Sequence, residues 1–283
     1  MRPHLTKVGN GILTLSGNNT HTGATTVTSG TLLISSSGAI NATSGTTVNG
    51  GTFRYNGSQA LTSSVTVSGG TLAYNSAADF SGALSFVSGT LAGTNFGGSL
   101  NNLTIGTGKT ISPGNSPGTA ATGNQTWAGG GSYIWEINDA SGTSGIDPGW
   151  DLVTGTGSLS ITATSGSKFT IYVTSLTLVN APGDAANFNS ALAYKWKIAD
   201  FTTAITFAAD VFNINTSGFS NSINPSATFG LALGSDPGIG GDPTELYLTY
   251  AVPEASTTLL VGLGLGLAAL LRKRHLSLRK RQD

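Results

Sequence analysis

Few residues in this chain have the type and spacing that chemistry needs. The densest group is acidic and aromatic: Glu136, Asp147 and Asp151 lie near Trp135 and Trp150. Two carboxylates flanking a glycosidic bond, with an indole to grip the sugar ring, would equip a glycosidase. The same residues serve equally well as a loop carboxylate and a solvated strand edge. Gly114-Asn115-Ser116-Pro117-Gly118 has the spacing of a nucleophile elbow. An elbow needs a strand before it, a helix after it, and His and acid partners downstream. Pro117 and a Gly/Thr run follow instead, and the only downstream histidine is His275, so the segment reads as a turn. Gly106-Thr107-Gly108-Lys109-Thr110 evokes a phosphate loop, but that motif's first glycine would fall at Leu103 and no helix follows. Gly238-Ile239-Gly240-Gly241-Asp242 hints at a calcium-binding nonapeptide, yet one copy without repeated aspartates falls short of the oxygen shell calcium takes.

Composition narrows the chemistry further. Only 9% of the 283 residues are charged and 41 are glycine, where a globular chain carries about a quarter charged. There is no cysteine, which removes disulfides and thiolate metal sites. The formal net charge is zero, but six basic residues crowd the stretch after Leu271, and residues 1–271 hold seven basic against twelve acidic groups, a net −5. No basic face is offered to nucleic acid. Residues 5–110 contain one carboxylate, Asp79, and three bases, Lys7, Arg54 and Lys109. A polysaccharide lyase or glycosidase built on these residues would need carboxylates and bases converging across several coils. The expectation is a protein that is not an enzyme, with no catalytic, cofactor-binding or metal-binding residues.

The elements that would position any site are repeats. The phrase Gly-Thr-Leu stands at Gly30-Thr31-Leu32, Gly70-Thr71-Leu72 and Gly89-Thr90-Leu91, and as Gly51-Thr52-Phe53. A looser copy, Gly11-Ile12-Leu13, precedes them and a degenerate one, Gly108-Lys109-Thr110, follows. The glycines are 19, 21, 19, 19 and 19 residues apart. An apolar residue sits three positions before each: Val8, Val27, Val48, Val67, Phe86 and Ile105. A fixed period near this length marks a stacked repeat architecture.

From valine to leucine the spacing is five, an odd number, so one uninterrupted strand would point them to opposite faces. A corner at the glycine turns both inward, since Gly takes backbone angles other residues avoid. Each repeat is then one coil: strand, Gly corner, strand, loose return. A coil buries only a few apolar side chains, roughly 2 kcal/mol each, and ordering its backbone costs more than that. The coils must stack, and a parallel β-helix is the architecture that stacks them. Leu32 and Leu72 should face inward, and Thr31 and Thr71 outward.

Residues 5–34, LTKVGNGILTLSGNNTHTGATTVTSGTLLIS, resemble the autotransporter-associated β-strand repeat. The Leu-x-Lys-x-Gly-x-Gly opening, the Leu-Ser-Gly-Asn-Asn and the Thr-Gly before the next Gly-Thr-Leu carry the resemblance, which fades towards residue 110. It implies a right-handed β-helix on a bacterial cell surface. The chain departs from true autotransporters in having no C-terminal barrel of alternating strands. Its start, Met1-Arg2-Pro3-His4, runs straight into the first repeat, and reads as a chain that has lost a signal peptide and earlier coils.

Three regions follow from these signals. Residues 1–123 are β-helix repeats, closing in the Pro-Gly-rich ISPGNSPGTAATG of residues 111–123. Residues 124–250 hold all four tryptophans, Trp127, Trp135, Trp150 and Trp196. Strand-like runs recur there at 133–137, 159–163, 169–173, 176–179, 194–198, 211–214, 228–233 and 245–250. This region reads as the continuation and cap of the solenoid, or as a separate β-sandwich. Residues 251–283 contain Val252-Pro253-Glu254-Ala255-Ser256, an apolar run to Leu271, and a basic cluster opening with Arg272, Lys273 and Arg274. The run Ala255–Leu271 is about 26 Å long as a helix, barely the hydrocarbon thickness of about 30 Å.

Short motif, short span and basic stop resemble the PEP-CTERM sorting signal, with Ala255 in place of the usual second proline. That resemblance implies an exosortase-type processing enzyme as partner, contact with the inner membrane through residues 255–271, and export to the cell surface or medium. The expected fold is all-β: a solenoid, a β-rich C-terminal region, and one short transmembrane helix. An extracellular polysaccharide is the partner that the Asn- and Thr-lined faces leave open.

Overall fold

A computed structural model describes residues 2–94, 96, 101–114 and 116–253. Every regular element among them is a strand, and the described residues up to Ala251 fall in one compact unit. The first four coils alternate short strands about a corner: β1 (Leu5–Lys7) and β2 (Ile12–Leu15), β3 (Thr25–Val27) and β4 (Thr31–Ile34), β5 (Thr46–Val48) and β6 (Thr52–Tyr55), then β7 (Val65–Tyr74), in which both arms join. β8 (Leu84–Gly93) repeats β7, and β9 (Leu103–Ile105) and β10 (Lys109–Pro113) follow.

Pairing is parallel and runs from coil to coil, β2 to β4 to β6 to β7 to β8 to β10. It continues into β13 (Ser132–Ile137), β18 (Phe169–Ser175) and β20 (Phe212–Gly218). The leucine column therefore reads Leu13, Leu32, Phe53, Leu72, Leu91, Ile111, Tyr133, Ile171, Ile214. Leu32, Phe53, Leu72, Leu91, Ile111, Tyr133 and Ile171 have no exposed surface, whereas Thr31 and Thr71 beside them are half-buried. A second column two residues on adds Ile34, Tyr55 and Tyr74, also fully buried. The Tyr55 and Tyr74 rings stack at 5.5 Å with nearly parallel planes, as identical side chains on successive in-register rungs do.

The corner works through its glycines. Gly30 and Gly51 both have φ of 63°, in the left-handed region where a β-carbon is penalised. A β-carbon on Gly51 would stand 2.4 Å from the carbonyl oxygen of Gly30, and one on Gly30 would stand 2.4 Å from that of Gly11. Those same oxygens accept the N–H of the next rung, Thr52 N to Gly30 O at 2.8 Å and Thr31 N to Gly11 O at 3.1 Å. The corner glycine is thus required twice, by its angle and by the close approach that the ladder bond imposes.

Four expectations need correction. Lys7, not Val8, pairs with Val27: the Gly9-Asn10-Gly11 corner holds one extra residue, so Val8 is pushed out and is 65% exposed. The buried Lys7 ammonium donates to the carbonyls of Val8, Gly9 and Ser29 at 2.8, 2.6 and 3.1 Å. At the sixth copy the leucine column is filled by Ile111 rather than Thr110, because Lys109 pairs with Gly89. The valine column ends at Phe86. Ile105 pairs with Trp127 instead, in a separate three-stranded sheet of β9, β12 (Gln125–Trp127) and β17 (Leu159–Ile161). Residues 176–179 form no strand: Leu176 makes one bridge to Pro182, and Leu178 and Val179 are 56% and 84% exposed in a turn closed by Thr177 N to Ala181 O.

Beyond Trp127 the coils widen and the insertions build their own sheet. β11 (Thr119–Thr122), β16 (Leu152–Gly155) and β19 (Tyr194–Asp200) pair in parallel, and β19 pairs antiparallel with β22 (Glu245–Ala251), which pairs antiparallel with β21 (Thr228–Leu233). The short β14 (Thr143–Ser144) and β15 (Gly149–Trp150) lie beside β13. Aromatic rings fill the space between: Trp127 stacks on Phe169 at 4.8 Å, and Tyr194 on Trp196 at 4.9 Å. Phe188, Phe229 and Tyr250 join the latter pair.

Candidate functional site

On the outer face of the same ladder, side chains alternate with the buried columns. One outward column is almost entirely hydroxyl: Thr31, Thr52, Thr71, Thr90, Thr110, Ser132, Thr170. The next reads Leu33, Arg54, Ala73, Ala92, Ser112. The two alanines make a dip. A groove of ≈ 350 Å³ opens over them, with Arg54 at one end and Glu136 and the turn through Asn180 at the other. Arg54 stands on β6 and Glu136 on β13, four ladder steps apart, or about 19 Å at the usual strand spacing.

Among the described residues Arg54 has no acceptor. It forms no ion pair, and its Nε is buried without a hydrogen-bond partner among the described residues. Three other buried side-chain atoms, on Thr46, Ser63 and Asn75, are also unsatisfied, but Arg54 alone carries a charge. A buried donor left without an acceptor costs roughly 1–3 kcal/mol, more when charged. Sequence reasoning missed this residue as a site, counting it only among the three bases of the repeats. The signal was available: it is the one charge in a column that otherwise reads Thr14, Leu33, Ala73, Ala92 and Ser112.

The acidic and aromatic group does not assemble as two free carboxylates beside an indole. Asp151 has no exposed surface, and its two oxygens accept the backbone N–H of Gly118 at 2.9 Å and of Glu136 at 3.0 Å. Burial pushes its carboxyl well above the usual range and the nearby Glu136 charge adds to this, while the two N–H groups pull the other way. Asp147 closes a ring with two amides, accepting from Asn138 Nδ2 and Asn180 Nδ2, each at 2.7 Å. Trp135 is fully buried and donates to the Asp151 carbonyl, and Trp150 donates to the Lys197 carbonyl. Only Glu136 reaches the groove, and burial raises its carboxyl as well.

The remaining sequence motifs fall in turns, except that Lys109 and Thr110 of the phosphate-loop-like phrase open β10. Gly118 spends its N–H on Asp151, Ser116 lines the groove, and Asn115 lies outside the described residues. Among those residues no cluster of His, Cys, Asp and Glu is grouped as a metal site requires, and Asp242 N donates to Glu245 within its own loop. Val252 and Pro253 directly follow β22. The rest of the sorting motif (Glu254, Ala255 and Ser256), the apolar run and Arg272, Lys273 and Arg274 lie outside the described residues. No helix long and apolar enough to cross a membrane occurs among those that are described.

The family model for the Passenger-associated-transport-repeat matches residues 5–34, the segment that builds β1 to β4. No curated protein and no solved structure matches the chain. The repeat so matched, the autotransporter-associated β-strand type, points to a β-repeat protein of the cell surface or exported space.

Proposed function

We propose that the chain is a non-enzymatic exported bacterial protein, a structural or adhesive β-solenoid that reaches the surface through its C-terminal signal. The observation that carries this reading is the ladder itself. Nine rungs share one apolar column from Leu13 to Ile214, fully buried from Leu32 to Ile171, and present hydroxyls outward with hardly a charge among the described residues. Such a stack gives length and surface at little cost in sequence complexity. The matched repeat supports the same reading.

The C-terminal part of the proposal rests on resemblance. Arg272, Lys273 and Arg274 stay cytoplasmic by the positive-inside tendency, so the body lies across the inner membrane. Gly262, Gly264 and Gly266 weaken the span as a helix, which suits a transient stop. An exosortase-type enzyme then cuts near Val252–Ser256 and releases the body. The test places the chain behind an export signal in cells with and without an exosortase and measures the intact mass of the exported protein. Loss of Leu259–Arg281 only where the exosortase is present supports sorting. A product that keeps the segment in both cells leaves a plain membrane anchor.

A second reading, a polysaccharide-binding protein, is favoured by one observation: the groove over Ala73 and Ala92, edged by threonines and holding an Arg54 without a partner among the described residues.

A further inference from the structure

We infer that this groove binds an acidic polysaccharide, with the Arg54 guanidinium taking a uronate carboxylate and the flanking hydroxyls and Asn180 meeting the sugar hydroxyls; this deepens the second reading above and rests on it. The unpaired Arg54 is the first argument. Its half-buried side chain lines the groove in a column of small residues, and among the described residues it has neither an ion pair nor a hydrogen-bond acceptor. A carboxylate suits this guanidinium in a way a hydroxyl does not, because its two terminal nitrogens and the two carboxylate oxygens form parallel charge-assisted hydrogen bonds.

Groove shape and lining select the class of anion. The floor strands β7, β8 and β10 are paired on both sides, so no strand edge is open for an extended peptide to join. A nucleic acid needs a phosphate contact every few ångströms and so many cations, and the groove has one. The body's net −5 repels polyanions in general, so retention of an acidic polymer would be local rather than a bulk charge effect. What remains is a long polymer rich in hydroxyls with isolated carboxylates. The groove's length of about 19 Å along the ladder admits several sugar rings, and Thr52, Thr71, Ser112 and Ser116 line it. Glu136 at the far end, its carboxyl raised by burial, meets hydroxyls rather than a second uronate.

The experiment uses the full 283-residue chain in mild detergent and affinity electrophoresis through gels loaded with polygalacturonate, with fully methyl-esterified polygalacturonate, or with neutral dextran, at physiological salt. The expected result is retardation by polygalacturonate alone. Arg54→Gln should weaken retention at least tenfold, Arg54→Lys should restore part of it, and Lys109→Gln, a cation outside the groove, should leave it unchanged. Circular dichroism verifies that each variant keeps the β spectrum. Equal retention by the esterified polymer, or retention indifferent to Arg54→Gln, overturns the assignment of a uronate to Arg54. Retention by dextran, independent of Arg54, would also overturn it yet keep a carbohydrate-binding surface. No retention on any gel overturns both the groove and the binding reading, and leaves the surface solenoid to the export experiment.

Discussion

Replacing Gly51 by alanine tests the corner on which the stack depends. The new methyl group would sit 2.4 Å from the Gly30 carbonyl oxygen and 2.7 Å from the Ser29 carbonyl carbon. Both are backbone atoms, so no side chain can swing away. The residue must also hold φ at 63°, which costs an alanine roughly 1–2 kcal/mol. Relieving the contact means parting the rungs, which stretches the 2.8 Å bond from Thr52 N to Gly30 O and forfeits about 0.5–1.5 kcal/mol for each ladder bond weakened. Against this, alanine narrows the unfolded ensemble and returns about 0.4–1 kcal/mol. The net expectation is a loss of about 1–3 kcal/mol. The control is Gly166→Ala, where an added methyl meets nothing within 4 Å and φ is not positive, so the unfolded-state gain is unopposed and stability should rise by about 0.4–1 kcal/mol. Urea unfolding of both variants and the parent, read as a midpoint shift at constant slope, measures the difference. If Gly51→Ala matched Gly166→Ala, the corner would not be held by close approach, and the account of the coil would be wrong.

Two further outcomes follow from the same structure. Leu72→Asp places a carboxylate in a fully buried column and should destabilise by several kcal/mol, whereas Thr71→Asp on the half-buried outer face should cost under about 1 kcal/mol; equal effects in urea would refute the inward assignment. Glu136 and Asp151 both have carboxyls raised by burial, so the folded chain holds their protons to higher pH than the unfolded one. Their contribution to stability is fully present below the ordinary carboxylate range and is lost as pH rises through the folded-state values. The urea midpoint of the parent, followed from about pH 4 towards about pH 8, should carry this downward component, and Glu136→Gln should flatten it; an unchanged profile would mean that Glu136 does not titrate in a buried place.

The amino-acid sequence by itself determined the strand character of the described residues, the parallel stacking and two of the buried columns of the repeats. Leu32, Phe53, Leu72, Leu91, Val27, Val48 and Val67 are all recognisable from one recurring phrase, because a solenoid repeats the same local environment and a column needs the same side chain at each level. The need for a corner was legible too, since five residues from valine to leucine cannot share a face of a straight strand. Register at the two ends was not. One extra residue in the first corner exchanges Lys7 for Val8, and one in the sixth exchanges Ile111 for Thr110, and a single-residue slip turns every side chain over. Only the ladder's hydrogen bonds decide between such alternatives.

The aromatic region shows the same limit. Its strands at 133–137, 194–198 and 228–233 are plain from their pattern, but the pairing of Tyr133 with Ile111 on one side and Ile171 on the other joins residues far apart in the chain, with insertions of no fixed period between them. The groove was least legible of all. Ala73 and Ala92 are ordinary residues in a low-complexity repeat, and they become a floor only because consecutive coils bring them side by side beneath Arg54 and within reach of Glu136. Charge and composition named the few ionisable residues, but which of them are consumed by backbone N–H groups, as Asp151 is, and which are left without a partner, as Arg54 is, depends on contacts between distant segments that the folded stack alone supplies.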